Sequence, residues 1–416
     1  MANFSATEQL MLELTNRARM DPLGEAKRMG ISLNQGIAKD AISSDPKQVL
    51  AGNDLLLASA RAHSTWMIKT DTFSHFESGR TETATMRMAL AGYKFVGDWS
   101  NGENISLVGT KGDLDLTESI IQQHRDLFLS VHGHRENMLM DHHREAGLAQ
   151  VVGDYKGYNT SMVTQNFGTT GTNVFITGVV YDDDVVKDNF FSVGEQVSRM
   201  RVVSGDASDT TGPGGGYELE FEQGVGTQEV TFKTAKGDAT VQLVLDDVNA
   251  KVDLVDGDEI WTNANVTSLT STIKELHALG VSRISLFGSN TAEKIVGNVA
   301  GGSLRGGGGA DILTGGGGSD RFVYKSAKDS GPDRARDTIT DFGVGADKID
   351  LSAVFAGGEL GFRGAKAIND INQVSFTASG HDAIVHVNLD ADMVDEMQIK
   401  LVGVSLKELS LSDFIL

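Results

Sequence analysis

Four consecutive blocks of nine residues run from Gly288 to Val323: GSNTAEKIV, GNVAGGSLR, GGGGADILT and GGGGSDRFV. Each opens with glycine and carries an apolar residue at its eighth place, Ile295, Leu304, Leu313 and Phe322 in turn. A fixed period of nine restricts the fold strongly, because one block cannot bury its apolar residue alone and must stack on its copies. The pattern Gly-Gly-x-Gly-x-Asp-x-apolar-x predicts a parallel β-roll, six residues of loop followed by a three-residue strand. In the last two blocks Gly306, Gly308, Gly315 and Gly317 open the loop backbone, while Asp311 and Asp320 add carboxylates at the sixth place. Carbonyl and carboxylate oxygens suit Ca²⁺ rather than zinc or copper. Alternate blocks should stack on the same side, with an ion between loops two blocks apart. Glu293 and Gly302 stand at the sixth place of the first two blocks, so about two or three ions are expected. A flexible glycine-rich linker would not keep an apolar residue in register.

The chain has 416 residues, more than one hydrophobic core usually supports, so two or three domains are expected. Its 57 Asp and Glu against 36 Lys and Arg give a net charge of −21. No basic excess is left for nucleic acid or for an anionic membrane surface. The absence of cysteine excludes disulfides, thiolate metal sites and a cysteine nucleophile. A hydrophobic content of 40% is enough for folded cores. No apolar run reaches the length of a transmembrane helix. The first residues, Met-Ala-Asn-Phe-Ser-Ala-Thr-Glu-Gln, lack the basic and apolar regions of a signal peptide. Export, if it occurs, is expected to be coded elsewhere.

Residues 1–171 read as mixed helix and strand. Ser5 with Glu8 forms a capping box, after which Leu10, Leu14 and Ala18 share a helical face until Asp21-Pro22. A second helix fits Asp54 to Lys69 with Leu55, Ala58, Ala62 and Trp66 on one side. A third fits Thr117 to Leu129, and strand-like runs follow at Ala146–Val152 and Ser161–Phe167. Between Thr172 and Ile260 stand 18 carboxylates and 6 basic residues, in alternating runs such as Val174–Tyr181 and Thr240–Leu245 that predict a small antiparallel β-sandwich. Thr270 to Leu279 reads as a helix-capable bridge.

The nonapeptide block resembles the RTX (repeats-in-toxin) family. Its sequel, Ser319-Asp-Arg-Phe-Val-Tyr324, Asp337-Thr-Ile-Thr-Asp341-Phe342 and Gly345-Ala-Asp-Lys-Ile-Asp-Leu-Ser352, is similar to the carboxy-terminal domain of serralysin-type secreted proteases. The resemblance spans 288–416 and implies that Asp337 and Asp341 complete the calcium loops with Asp320. The ending Asp413-Phe-Ile-Leu416 looks like the uncleaved terminal signal of type I secretion.

Five short motifs occur in order in the first region: Asn16-Arg-Ala-Arg19, Phe73-Ser-His75-Phe76, Gly102-Glu103-Asn104-Ile105, Gly133-His134-Arg135 and Thr164-Gln165-Asn166-Phe167-Gly168. Together they resemble the bacterial branch of the CAP superfamily (cysteine-rich secretory proteins, antigen 5, pathogenesis-related proteins). The resemblance implies an α-β-α sandwich with a mainly antiparallel sheet and a cleft where, in many members, two His and two Glu converge. His75, Glu103 and His134 match. The second glutamate does not, since Phe128-Leu-Ser130-Val-His-Gly133-His134 lacks it and Glu118 lies too far upstream. Three readings stay open: Zn²⁺ with an open water position, a His base oriented by Glu103, or a polar network that organises the cleft. His63 reads as a core residue; Asp54, Glu77 and Arg80 read as surface polar groups. His132, His142 and His143 read as a solvated loop. No Gly-x-Ser-x-Gly, His-Glu-x-x-His or phosphate-binding loop is present.

In the middle region Asp182, Asp184, Asp188 and Glu195 resemble the calcium ligands of small β-sandwich modules of bacterial surface proteins, with an acidic solvated turn as the alternative. The expectation is an α+β multidomain chain: a CAP-like α-β-α sandwich at 1–171, a small antiparallel β-sandwich at 172–260, a connection at 261–287, and a parallel β-roll with secretion domain at 288–416. Its expected function is that of a secreted, extracellular calcium-binding bacterial protein whose partners are calcium, the type I secretion apparatus and a ligand in the His75–Glu103–His134 cleft. The alternatives are a metal- or His-dependent hydrolase and a structural surface or matrix component.

Overall fold

The computed structural model describes residues 3–77, 82–355, 357–392 and 394–416. The chain divides into two compact units. One holds the residues up to Gly226 with Phe232–Thr234 and Leu245–Gly257; the other holds Thr227–Thr231, Ala235–Val244 and Asp258–Leu416.

In the first unit α1 (Ala6–Met20) begins at the expected capping box, with Ser5 and Glu8 each accepting the other's backbone N–H. Asp21 ends it and caps α2 (Pro22–Arg28), whose first position is proline. The remaining helices are α3 (Asp54–Lys69), α4 (Ala84–Leu90), α5 (Leu116–Leu129) and α6 (His134–Met138). They accompany a four-stranded sheet of β1 (Ala51–Gly52), β2 (Ser100–Thr110), β3 (Glu145–Tyr155) and β4 (Tyr158–Thr169), in the order β1-β3-β4-β2. β4 pairs antiparallel with both β2 and β3, and β1 runs parallel to β3. Lys156 and Gly157 join β3 to β4 with φ of 53° and 77°, the left-handed conformation that a tight two-residue hairpin turn demands.

Alternation along β4 assigns the sheet's two faces. Thr164 and Asn166 meet α3 through Ser64 Oγ at 2.8 Å and Leu56 O at 3.2 Å. Ser161 meets α5 through Gln123, and Gln150 on the same face accepts from Thr7 of α1 at 2.7 Å. The face of α3 differs from the expected one. Leu55, Ala58 and Ala62 are exposed, whereas Leu56, Leu57, Ala60, His63, Ser64 and Met67 are buried. The reason is polar: the sheet offers Thr164 to Ser64, so two polar residues sit on the inner face, where a search for apolar spacing does not look.

Residues 172–260 do not stand as a unit of their own; they are divided between the two units. β5 (Val174–Tyr181) is buried along its whole length. It pairs antiparallel with β8 (Gly216–Phe221), beyond the hairpin of β6 (Arg201–Ser204) and β7 (Ala207–Thr210), and parallel with the strand Ala250–Val255. That parallel pairing departs from the expected all-antiparallel sandwich. Lys251 on the same strand lies 2.8 Å from Glu13 of α1 and bonds Asp253, all three buried.

The second unit is built on two stacks of parallel strands. Glu259–Thr262, Glu275–Ala278, Lys294–Val296, Ile312–Thr314 and Asp337–Ile339 form one. Val266–Leu269, Ile284–Phe287, Gly302–Arg305, Arg321–Val323 and Lys348–Asp350 form the other. Every strand contributes a buried apolar residue, so Ile260, Leu276, Ile295, Leu313 and Ile339 make one column and Val266, Leu286, Leu304, Phe322 and Ile349 another. Blocks one and three of the nonapeptide array pair with each other, and blocks two and four likewise, as the period predicts. The roll begins earlier than Gly288. The expected helix over Thr270–Leu279 is instead the strand Glu275–Ala278, because Leu276 fills the column above Ile295. The first stack continues into Met397–Leu401 and an antiparallel set with Asp382–Asn388 and Gln373–Ser379. Phe414 and Ile415 pair with Ile349 and Asp350, and Phe414 packs against Phe362 and Phe376. Among the described residues no helix is long and apolar enough to cross a membrane.

Gly147 of β3 has no room for a side chain: an added Cβ would stand 2.0 Å from Leu57 N and 2.1 Å from Leu56 C, both backbone atoms of α3. Gly147→Ala is therefore expected to destabilise the first unit by about 1–3 kcal/mol, read as a lower urea midpoint at unchanged m-value.

Candidate functional site

Two groups of side chains carry the chemistry of this chain, a polar cleft in the first unit and acidic loops in the second. In the cleft His63 comes from α3, His75 and Glu77 from the segment after it, Arg87 from α4, Glu103 from β2 and His134 from the start of α6. Glu103 Oε1 lies 2.9 Å from His75 Nδ1 and 3.9 Å from His63 Nε2, while its Oε2 accepts from Arg87 Nη2. Glu77 Oε1 is 2.6 Å from His63 Nδ1 and 3.6 Å from Arg87 Nε. Arg87 also donates to the carbonyls of His75 and Glu82, each at 3.1 Å. His134 faces His75 with ring centroids 6.4 Å apart, and its carbonyl accepts from Asn104 at 3.1 Å.

Burial works against the charge on Glu103, yet the His75 hydrogen bond and the charges of His63 and Arg87 outweigh it and hold its carboxyl below the usual range. Burial lowers His63 and His134, with the neighbouring His75 adding to the effect on His134. The structure brings His75, Glu103 and His134 together in the first unit. They are not among the described groups whose ligand atoms all lie within 4.8 Å of one another, and both Glu103 oxygens already serve His75 and Arg87. Hydrogen bonds and ion pairs join His63, His75, Glu77, Arg87 and Glu103 into one polar network.

Two members of that network were not expected. Glu77 is no ordinary surface group, since it ties His63 to Arg87. Arg87 carries no sequence signal, being a single arginine among Thr85-Met-Arg-Met88. Arg80 lies outside the described residues. His132 and His142 are exposed as expected, but His143 is buried against Phe167 with Nδ1 3.2 Å from Ser100 Oγ, and burial pushes it down to about 3. Several motif residues are scaffold: Arg19 binds four carbonyls, of Gln48, Met138, Met140 and His143, and Asn16 exchanges two hydrogen bonds with Leu50. Arg135 likewise grips the carbonyls of Phe128, Leu33 and Gln35.

In the second unit the stacked turns align carboxylates along both edges of the roll. Asp311 Oδ1 accepts from Glu293 N at 2.8 Å, and Asp337 Oδ1 accepts from Asp311 N at 2.9 Å. On the other edge Asp347 Oδ1 accepts from Asp320 N at 2.9 Å. One oxygen of each of Asp311, Asp320 and Asp337 is buried and unpartnered; the Tyr324 hydroxyl stands near Asp337 without reaching hydrogen-bond geometry. Burial raises Asp311 to about 7, Asp320 to about 6 and Asp337 to about 9, with further repulsion from Glu293, Asp347 and Asp311 respectively. Buried oxygens without a proton donor, aimed beside like charges, form a donor set that fits Ca²⁺.

The glycines divide their roles. Gly306 and Gly315 leave room for the carboxylates, since an added Cβ would stand 2.0 Å from Asp311 Oδ2 and 2.5 Å from Asp320 Oδ2. The left-handed turns fall on Gly307, Gly309, Gly316 and Gly318, not on Gly308 or Gly317. Asp341 is exposed and caps the loop by accepting from Gly315 N and Gly316 N, each at 2.8 Å. Asp347 holds the stacked place opposite Asp320. Its signal was the degenerate block Gly343-Val-Gly-Ala-Asp347-Lys-Ile349.

The carboxylates of the middle region do not converge. Glu195 is buried and accepts from Val185 N, Val186 N and Ser192 N at 3.2, 2.9 and 2.7 Å. Asp182, Asp184 and Asp188 are exposed around the loop that Glu195 holds. Glu195 staples this turn through the turn's amides.

Residues 284–416 match the family model described as the peptidase M10 serralysin C terminal. The C-terminal third is serralysin-like. Over 88 residues the chain is 36% identical to Serralysin C of Dickeya chrysanthemi, a stretch that covers 20% of this chain and 17% of that protein. It therefore spans under a fifth of that relative's length. Among solved structures it is similar to the AlgE6R3 subunit of a mannuronan C5-epimerase from Azotobacter vinelandii, at 25% identity over 34% of this chain and 77% of that one, with a TM-score of 0.28. A second is an extracellular protein containing an SCP domain from Bacillus anthracis, at 26% identity over 29% of this chain and 34% of that one, with a TM-score of 0.22. Domains with this nonapeptide repeat bind Ca²⁺.

A free aspartate titrates near about 3.9, so the raised values of Asp320, Asp311 and Asp337 favour the calcium-free fold only while they stay protonated. Its stability is fully present below about pH 4 and is lost as pH rises through about 6, 7 and 9. Calcium-free protein should show a lower melting transition for the second unit at pH 8 than at pH 5 in differential scanning calorimetry, and saturating calcium should remove that difference.

Proposed function

We propose that this chain is a secreted calcium-binding protein that leaves a bacterial cell through a type I secretion apparatus and folds its roll outside. The observation that carries the proposal is the set of unpartnered buried oxygens on Asp311, Asp320 and Asp337. A roll that holds these groups without a cation is self-repelling, so calcium binding free energy becomes folding free energy. Calcium is scarce in cytoplasm and abundant outside, which keeps the roll unfolded before export and draws it into structure afterwards. The tail Asp413–Leu416 supports the same order of events. Phe414 is buried in the folded unit, so a signal there is readable only before folding.

The first unit is proposed as a CAP-like module whose cleft, around His75, Glu103 and His134, takes an extracellular ligand. Exposed Phe73, Phe76 and Val131 lie beside the cleft histidines in sequence and suit a ligand with an apolar part. One observation favours a hydrolytic second reading: Glu103 holds His75 at 2.9 Å through Nδ1, the orientation of a general base.

Far-UV circular dichroism of the full chain under calcium titration tests the proposal. The β signal of the second unit should fall in EDTA at pH 8 and return with calcium while the first unit keeps its structure, and Asp311→Asn with Asp337→Asn should weaken the midpoint at least about tenfold. A spectrum indifferent to calcium would refute it. In the cleft, His75→Ala with His134→Ala should abolish ligand capture, and loss of a turnover activity in that variant would favour the hydrolase instead.

A further inference from the structure

The sides of the first parallel stack that face away from the Ile260–Leu276–Ile295 column carry a second constellation. In-register pairing places Glu259 beside Glu275 and Glu275 beside Lys294, and it places Trp261 beside His277. His277 Nε2 lies 2.9 Å from Glu275 Oε2, and Lys294 Nζ lies 2.7 Å from the same oxygen. The Trp261 and His277 rings stack 4.0 Å apart and 2° from parallel, while Trp261 Nε1 donates to Glu259 Oε2 at 3.4 Å. One ligand atom each from Glu259, Glu275 and His277 lies within 4.8 Å of the others.

We propose that Glu259, Glu275 and His277 form a binding site for one divalent transition cation of the Zn²⁺ class, separate from the calcium loops. Ligand chemistry decides the class. An imidazole with two carboxylates suits Zn²⁺, whereas Ca²⁺ takes oxygen ligands. Spacing is within reach: two tetrahedral ligands, each about 2.1 Å from a metal, stand about 3.4 Å apart, so the 2.9 Å hydrogen bond between Glu275 Oε2 and His277 Nε2 needs to open by only about half an ångström to admit the ion. The stacked indole fixes the imidazole plane, the service that hydrogen-bonding partners give ligating histidines elsewhere. Burial also holds His277 below its ordinary value, in the neutral form that ligates.

Lys294 already supplies a positive charge to this place. Its ammonium sits on Glu275, so a metal ion enters by displacing it, and the side chain is 45% exposed and free to swing into solvent. His277 is 8% exposed and Glu275 28%, which leaves the outer coordination positions to water. The competition gives the proposal a sign that ordinary surface binding lacks: deleting the lysine charge strengthens the site, and deleting a ligand weakens it.

The test is a Zn²⁺ titration of the full chain saturated with calcium, in a His75→Ala, His134→Ala background so that the cleft imidazoles contribute nothing. Calorimetry gives the affinity, Trp261 fluorescence reports the stacked ring, and Co²⁺ in place of Zn²⁺ gives visible d–d bands. One equivalent is expected, weakened at least about tenfold by Glu275→Gln or His277→Ala and tightened by Lys294→Met. Should His277→Ala fail to fold, the partly exposed Glu275→Gln and Lys294→Met variants decide. Affinity unchanged in both of those variants, or Ca²⁺ competing for the same equivalent, would overturn the proposal.

Discussion

A buried carboxylate needs a positive partner, and this chain is organised around how that need is met. In the first unit the partner is built in. Glu103 takes Arg87, and Glu13 with Asp253 takes Lys251, all of them buried. Removing one member of such a pair would leave an uncompensated charge, commonly a loss of about 3–5 kcal/mol. In the second unit one buried oxygen of each of Asp311, Asp320 and Asp337 has no hydrogen-bond partner among the described residues, and like charges stand beside it. The same physics that sets an arginine on Glu103 leaves the roll with carboxylates suited to an ion from outside.

That dependence shapes the architecture. Three-residue strands bury one apolar side chain each, so the two columns of the roll gain little core per residue. Loop geometry must then help hold the turns together, and the glycines are placed accordingly. Some sit where backbone turns left-handed and others where a side chain would strike the neighbouring aspartate. The first unit instead buries larger apolar clusters between its helices and a mixed four-stranded sheet.

Much of this was legible in the chain. The capping box at Ser5, the span Asp54–Lys69 and the pairing of alternate nonapeptides follow from local rules, because caps and periods act over a few residues. Asp311 and Asp320 were visible at fixed places in a repeat, and Asp347 was hidden by a degenerate one. Other features had no local signature. The inner face of α3 was misread because Ser64 and His63 lie inward to meet Thr164 and Glu77. The strand Glu275–Ala278 passed for helix because its partners Trp261 and Lys294 come from other turns of the roll.

The sequence by itself determined the roll, its ion chemistry and the histidines and glutamate of the cleft, since each rests on residue type at a regular or recognisable spacing. Only the tertiary structure decided what those groups do to one another. It set Arg87 on one oxygen of Glu103 and His75 on the other, and it gave Glu195 three backbone amides of its own loop. The physical reason is that a charge's behaviour depends on what lies within a few ångströms, and those neighbours are brought from places far apart along the chain.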